Sequence, residues 1–508
     1  MNLVTTNHSD TGGTIGLPYT GKWYWEVTCT TRGSSYFGIY KTSYTGMAGS
    51  WVNGKHIVLE ANTGKAQSYS ATATTYMSGG LSNGDICGVA IDCDNGKIFF
   101  ADSNTWGDSG DPAAGTNPAG TFTASDGWKP AFYAPGSPNN CDFTLNFGQR
   151  SFSYTPPSGF KALTSSNMAD PTIALPEEHF NTVLYTGADT AAAKSVTGVG
   201  FQPDFVWSKS RSDAFNWNNY DSLTGAGQRL SSNTDAAAAA NHAYGYLSAF
   251  DSDGFTTAAG STNNENWNKT SSAYVAWNWK ANGSGSANTD GQEDSTVSVN
   301  AAAGFSIVKW TAASGGPRTV GHGLGVKPDI VIHKRLDATE NWYVYTDIFD
   351  GTPDGINLDG NGTKYDWNNG VVPTSSLFTH TDNSGSTSVA YCFASIEGYS
   401  KVGTYPGNSL SNGPFVYTGF RPAWIAARRS DAVSSLYTWD VERFTYNTIK
   451  TALWPNGTWA EASAADYSID FYANGFKPRF ASGYFNYSGG THLYIAFAEA
   501  PFKYANAR

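Results

Sequence analysis

From residue 180 onward the chain repeats itself, and an internal repeat restricts the possible folds more tightly than composition does. Phe201-Gln202-Pro203-Asp204-Phe205-Val206-Trp207-Ser208-Lys209 opens one copy. Val326-Lys327-Pro328-Asp329-Ile330-Val331-Ile332-His333-Lys334 opens the second, and Phe420-Arg421-Pro422-Ala423-Trp424-Ile425-Ala426-Ala427-Arg428 the third. Each has a proline, a β-rich run and a basic residue, followed by Asp213, Asp337 or Asp431. The copies close on Tyr274-Val275-Ala276-Trp277, Ser388-Val389-Ala390-Tyr391 and Tyr494-Ile495-Ala496-Phe497. Leading strands are expected at 183–187, 305–310 and 415–419. Each copy is too large for a solenoid repeat and suits a small sandwich, so the three would pack as one body or as beads.

Residues 1–163 read as a separate β domain. Its clearest signal is Gly84-Asp85-Ile86-Cys87-Gly88-Val89-Ala90-Ile91-Asp92, then Asn95-Gly96, then Ile98-Phe99-Phe100. Asn-Gly between β-rich runs predicts a hairpin. Residues 164–179 read as a proline-stiffened linker. The repeats are placed at 180–282, 300–405 and 406–508, with a Gly/Ser-rich connection at 283–299. Composition agrees with an all-β chain: charged residues make only 14%, aromatics make 15%, and 56 glycines supply turns. The alanine run 236–240 is the one place where a short helix is expected.

The same composition excludes several functions. A net charge of −11 and no basic run give no footprint for nucleic acid. Cys29, Cys87, Cys93, Cys141 and Cys392 show no CxxC spacing and read as buried thiols of a protein folded in a reducing cytoplasm. No signal peptide or long apolar run is visible, so membrane insertion is not expected. There is no GxSxG elbow, no HExxH and no phosphate loop. Asp251, Asp253, Asp347, Asp350 and Asp354 could be assembled into a glycosidase pair, but Asp253-Gly254 and Asp354-Gly355 read as turns. Asp92-Cys93-Asp94-Asn95-Gly96 lacks the closing glutamate of a calcium loop. Asp359-Gly360-Asn361-Gly362 and His322 read as turns too. No catalysis, cofactor or metal is expected. The repeated basic residue and aspartate (Lys209 and Asp213, Lys334 and Asp337, Arg428 and Asp431) read as a local ion pair or strand-end bond.

Binding candidates lie in the loops before the first and third closing strands. Asn263-Asn264-Glu265-Asn266-Trp267-Asn268 and Tyr484-Phe485-Asn486-Tyr487-Ser488 set aromatic rings beside amides, which suits sugars or protein contacts. Asn264, Trp267, Tyr484, Phe485 and Tyr487 are therefore the expected contacts to a receptor or neighbouring subunit, against a reading in which the rings fold back on their own sandwich.

Two resemblances add context. Gly21-Lys22-Trp23-Tyr24-Trp25-Glu26-Val27, Phe37-Gly38-Ile39, the hairpin above, Trp128-Lys129-Pro130-Ala131-Phe132 and Leu145-Asn146-Phe147-Gly148-Gln149 resemble a SPRY domain. That resemblance implies a bent β-sandwich that binds partners through loops at one end. Its opening strand looks short, as if completed by something upstream or by another protein. Residues 180–508 resemble a repeat domain of unassigned function in marine and cyanobacterial phage structural proteins. The matching pieces include Val320-Gly321-His322-Gly323-Leu324-Gly325, Glu397-Gly398-Tyr399-Ser400-Lys401 and the ending from Phe497 to Arg508. The resemblance implies a virion component made in the host cytoplasm: a homotrimeric fibre or adhesin that binds a host-surface glycan or protein. The alternative is a head fibre, capsid decoration or tail component that binds other virion proteins. A depolymerase is the third reading.

Overall fold

A computed structural model describes residues 10–12, 16–41, 55–68, 73–124, 127–133, 142–367, 370–481 and 484–505. Cys141 lies outside them. The chain divides into two compact units, Met1–Asp170 with Pro414–Tyr417, and Pro171–Gly413 with Thr418–Arg508. Both are built from antiparallel strands, apart from the short Lys161–Ala162, which runs parallel to Lys22–Thr31, and the fold is all-β. No helix among the described residues is long and apolar enough to cross a membrane.

The first unit is a sandwich of two sheets. One carries Trp128–Tyr133, Tyr36–Lys41, His56–Glu60 and Lys65–Ser68 as neighbours, and the other Lys97–Asp102, Ile86–Asp92, Lys22–Thr31 and Asp142–Asn146. Alternate side chains fill the space between them: Trp25 and Val27 meet Phe37, Ile39, Val89, Ile91 and Phe100. The expected hairpin is present, with Asp92 opposite Lys97. Its turn spans four residues, and only Gly96 has positive φ. A Cβ there would come within 1.9 Å of the Phe122 carbonyl oxygen, so the position requires glycine. The buried Asp92 carboxylate accepts from the backbone and side-chain nitrogens of Asn95 at 3.0 and 2.9 Å, so this loop is a structural turn. Cys29, Cys87, Cys93 and Cys392 are buried.

In the second unit each repeat contributes one four-strand motif in the same order: leading, closing, the strand of the proline segment (the proline strand), outer. In the first repeat these are Phe180–Thr186, Ala273–Trp279, Phe205–Ser210 and Asn218–Asp221. In the second they are Phe305–Thr311, Thr387–Phe393, Ile330–Arg335 and Tyr343–Thr346, within a larger sheet. In the third they are Ser400–Pro406, Thr491–Pro501, Phe420–Arg429 and Tyr437–Asp440. The third leading strand is therefore Ser400–Pro406, with Ser400 opposite Phe497, and not the segment at 415–419.

Strand alternation sends each sheet's two faces to different places. Phe205, Trp207, Val275, Trp277 and Trp279 point into one core with Ile330, Ile332, Tyr391, Phe393, Trp424 and Phe497. Val206 and Ala276 point the other way, against Val196, Leu247, Phe255 and Trp267 of a small second layer. Val331, Ala390 and Cys392 do the same in the second repeat. Each repeat is thus a thin sandwich, and the inner faces of all three share one aromatic core. Phe205 stacks on Tyr391 at 4.3 Å and Phe180 on Phe497 at 4.9 Å.

The three repeats close into a ring through equivalent bonds. The N–H groups of Trp217, Trp342 and Leu436 donate to Asn233, Asp359 and Asn456 at 2.9, 3.3 and 3.1 Å, which fixes the same loop in each repeat. Beyond that loop, Ala238 N–H donates to Leu336 O at 2.9 Å, Lys364 N–H to Ser430 O at 2.7 Å and Glu461 N–H to Arg211 O at 2.8 Å. The last of these joins the third repeat to the first.

Two local expectations are corrected. The alanine run forms no helix: Ala238 makes the ring bond, and Ala239–Ala240 pair with Gln228–Arg229 as a short ladder. The described α-helical turn is instead Glu265–Asn268. Asp354-Gly355 lies inside the strand Asp354–Asn357, where the buried Asp354 pairs with Lys364 at 2.7 Å.

Candidate recognition surface

The basic residue that ends each proline strand is buried and serves carbonyl oxygens. Lys334 donates to Glu340 O at 2.7 Å and to Asp235 O of the first repeat at 3.1 Å. Arg428 donates to Asn357, Gly360 and Gly362 of the second repeat. Lys209 donates to Asp213 O at 2.8 Å. The expected ion pairs use other partners: Arg335 with Asp337, Arg429 with Asp431, and Lys269 with Asp213. A fixed charge in a dry site is costly. Burial accordingly lowers Lys209 to about 7, Lys334 to about 8 and Arg428 to about 10.

Other polar groups of the second unit are also committed to structure. Trp277 donates to Asp440 and Tyr391 to Asp221, at 3.2 and 2.8 Å, each across a repeat junction. Phe497, at the matching place in the third repeat, has no donor, and the matching residue of the second repeat is Thr346. Arg443 bonds Asp440 at 2.5 Å and Glu461 at 3.0 Å, and Glu461 also holds Arg211 at 2.8 Å. In the second repeat Asp382 lies 3.3 Å from both His333 and His380. His322 is buried and its Nδ1 accepts from Leu324 N–H at 3.2 Å. The carboxylates once grouped as a glycosidase pair are separately engaged: Asp251 with Thr256, Asp253 with Gly198 and Gly200, Asp347 with Lys327, and Asp350 with Thr352. Among the described residues no group of three or more His, Cys, Asp or Glu is placed to hold a metal ion.

The two loops chosen from sequence turn out to be equivalent, and their centres are buried. Trp267 packs between Tyr220 and Phe255, and Phe485 between Tyr437 and Trp439. The asparagine after each ring pins a neighbouring loop: Asn268 bonds Ala188 and Ala192, and Asn486 bonds Asn408 and Leu410. Asn264 is buried as well and donates to Ala192 O. Asn264, Trp267 and Phe485 are therefore framework residues. A ring beside an amide reads the same in sequence whether it faces a partner or its own core.

Tyr484 and Tyr487 do reach the surface, 47% and 45% exposed. The Arg429 guanidinium covers one face of Tyr487 at 4.0 Å. Tyr484 continues a run of rings. Tyr437 lies 5.8 Å from Tyr484 and from Trp454, Trp454 lies 5.2 Å from Tyr467, and Trp459 ends the run 6.0 Å from Trp454. Trp454 and Tyr437 are buried supports, whereas Trp459 is 56% exposed.

Sequence reading missed Trp459. The signal for it is the loop anchored by Asn233, Asp359 and Asn456. The same exposed position of that loop carries Ala236, Gly362 and Trp459 in turn. The ring architecture thus has no need of an indole there. Trp459 is nonetheless held in place: it lies over Gly457, where a Cβ would meet its ring at 2.1 Å.

This arrangement defines an all-β protein with a sandwich module and a three-repeat body that carries exposed aromatic rings. Residues 22–150 match the SPRY domain family. Two solved structures are similar to that part. The crystal structure of the SPRY domain of human HERC1 is 11% identical, covering 29% of this chain and 90% of its own, with a TM-score of 0.24. The crystal structure of a human SPRY domain is 17% identical, covering 29% of this chain and 89% of its own, with a TM-score of 0.22. The chain belongs to the family described as Domain of unknown function (DUF7483), which it matches over residues 175–501. No curated protein matches it.

Proposed function

We propose that the chain is a non-catalytic recognition component of a bacteriophage virion, a fibre or adhesin that binds the host surface. The observation that carries this reading is the unequal decoration of three equivalent repeats. Among the described residues most of the exposed aromatic side chains (Tyr446, Trp459, Tyr484, Tyr487 and Tyr504) belong to the third copy. Exposed large aromatics set on a rigid frame are the residue types of binding hot spots. The phage setting rests on the sequence resemblance of residues 180–508 to repeats in phage structural proteins. In the proposed homotrimer three such bodies would be displayed together.

The test is binding of labelled full-length chain to host cells, together with electron microscopy of particles labelled at the C-terminus. Cell binding and a label at the tail are the expected results. Binding to capsids and not to cells would overturn the adhesin reading. It would favour the second reading, a virion building block, which the SPRY domain supports as a protein-interaction module.

A further inference from the structure

We infer that the exposed ring run of the third repeat, from Trp459 through Tyr467 to Tyr484, is a binding site for a neutral polysaccharide. This rests on the recognition reading and names its ligand class. Each outer ring stands inclined on the buried ring beneath it: Trp459 at 83° and Tyr467 at 80° to Trp454, and Tyr484 at 40° to Tyr437. Such a stepped surface offers separate apolar faces to successive sugar rings, with phenol hydroxyls at their edges for sugar hydroxyls. A flat protein partner would instead need a continuous apolar patch ringed to exclude water. The neighbours here are the small exposed Ala462, Ser463 and Ala465.

Charge chooses among polysaccharides. Asp466 adjoins Tyr467 in the chain and is part-exposed beside it, so the run carries a carboxylate. A carboxylate accepts hydrogen bonds from sugar hydroxyls and repels an anionic polymer, so the complementary ligand is uncharged.

The site is also pre-formed, which lowers the ordering cost of binding. Trp459 is seated on Gly457, whose carbonyl oxygen accepts the Trp217 indole N–H at 3.0 Å. The Tyr467 carbonyl oxygen accepts from the Trp439 indole at 2.9 Å.

The experiment is affinity electrophoresis of the full-length chain in gels containing dextran, mannan or laminarin, with polygalacturonate as the anionic polymer. Retardation by at least one neutral polymer is expected. Trp459→Ala and Tyr484→Asn should each weaken it roughly tenfold or more. Their melting temperatures should not change, because Ala236 and Asn266 stand at the matching places in the first repeat. The inference is overturned if no neutral polymer retards the chain, if only polygalacturonate does, or if folded variants bind like the parent. Cell binding that persists while every neutral polymer fails removes the glycan inference and leaves the recognition reading standing.

Discussion

The indole N–H of Trp217 donates to the Trp454 carbonyl oxygen at 2.9 Å, joining the first repeat to the last across 237 residues of sequence. Trp342 makes the matching bond to Ser231 at 2.9 Å between the second repeat and the first. The closing junction is therefore made with the same chemistry as an internal one.

Trp217→Phe keeps most of the buried ring but takes the donor from the Gly457 carbonyl oxygen, while the Trp454 carbonyl oxygen keeps the Gly457 N–H. A loss of about 1–3 kcal/mol is expected from leaving a buried acceptor unpaired. Trp342→Phe opens the matching junction but leaves the Ser231 carbonyl oxygen with the Thr234 N–H, so the loss of about 0.5–1.5 kcal/mol for one hydrogen bond is expected there. Urea unfolding of both variants checks this. A large loss from one and none from the other would mean that the junctions are not equivalent.

Lys209 supplies a dependence on alkaline pH. An unfolded lysine titrates near 10.4, whereas burial, partly opposed by Asp213, lowers this one to about 7. Between those values the unfolded chain binds the extra proton, so stability rises with pH across that window and this contribution is flat below it. Lys209→Met should reduce the rise. Unfolding midpoints of parent and variant at neutral and alkaline pH give the comparison.

Asp382 acts at the acid end. Burial disfavours its ionised form, but the attraction of His333 and His380, each 3.3 Å away, outweighs that and holds the carboxyl far below the usual range. Its contribution is present above the unfolded value of about 3.9 and is lost as pH falls toward the folded one. Asp382→Asn should lower stability at neutral pH by about 3–5 kcal/mol, as for one partner removed from a buried pair. It should also flatten the acid limb. An unchanged acid limb in the variant would assign that limb to other carboxylates.

In the first unit the buried Glu26 carboxylate accepts from the N–H groups of Ser153 and Tyr154 at 3.0 and 2.9 Å, tying down the segment that follows the sandwich. Glu26→Ala should cost about 1–3 kcal/mol. It should also raise amide exchange at Ser153 and Tyr154 more than at Val89 in the sandwich centre.

These relationships were unequally visible beforehand. The proline strands and closing strands stood out because each has an aliphatic or aromatic run of fixed length. Ser400–Pro406 did not, since Gly403 in its middle and a terminal proline interrupt its β signature. The shared core was hidden because it depends on which face of Trp207, Tyr391 and Trp424 points inward, and alternation alone does not say what covers a face. For the same reason the pattern around Trp267 and Phe485 is open to both an outward and an inward reading. Trp459 was hidden by the lack of any local pattern. It stands out only once Asn233, Asp359 and Asn456 are superposed as one anchor.

The carbonyl oxygens of Leu336, Ser430 and Arg211 each receive one N–H from another repeat, and the third bond returns to the first copy. An open array of repeats can grow by gene duplication, because its end units simply acquire another neighbour. This one has no end to extend. A fourth copy would have to break a junction and widen a core already filled by tryptophan, so copy number is held at three, and the variation left to evolution is in what each copy displays outward.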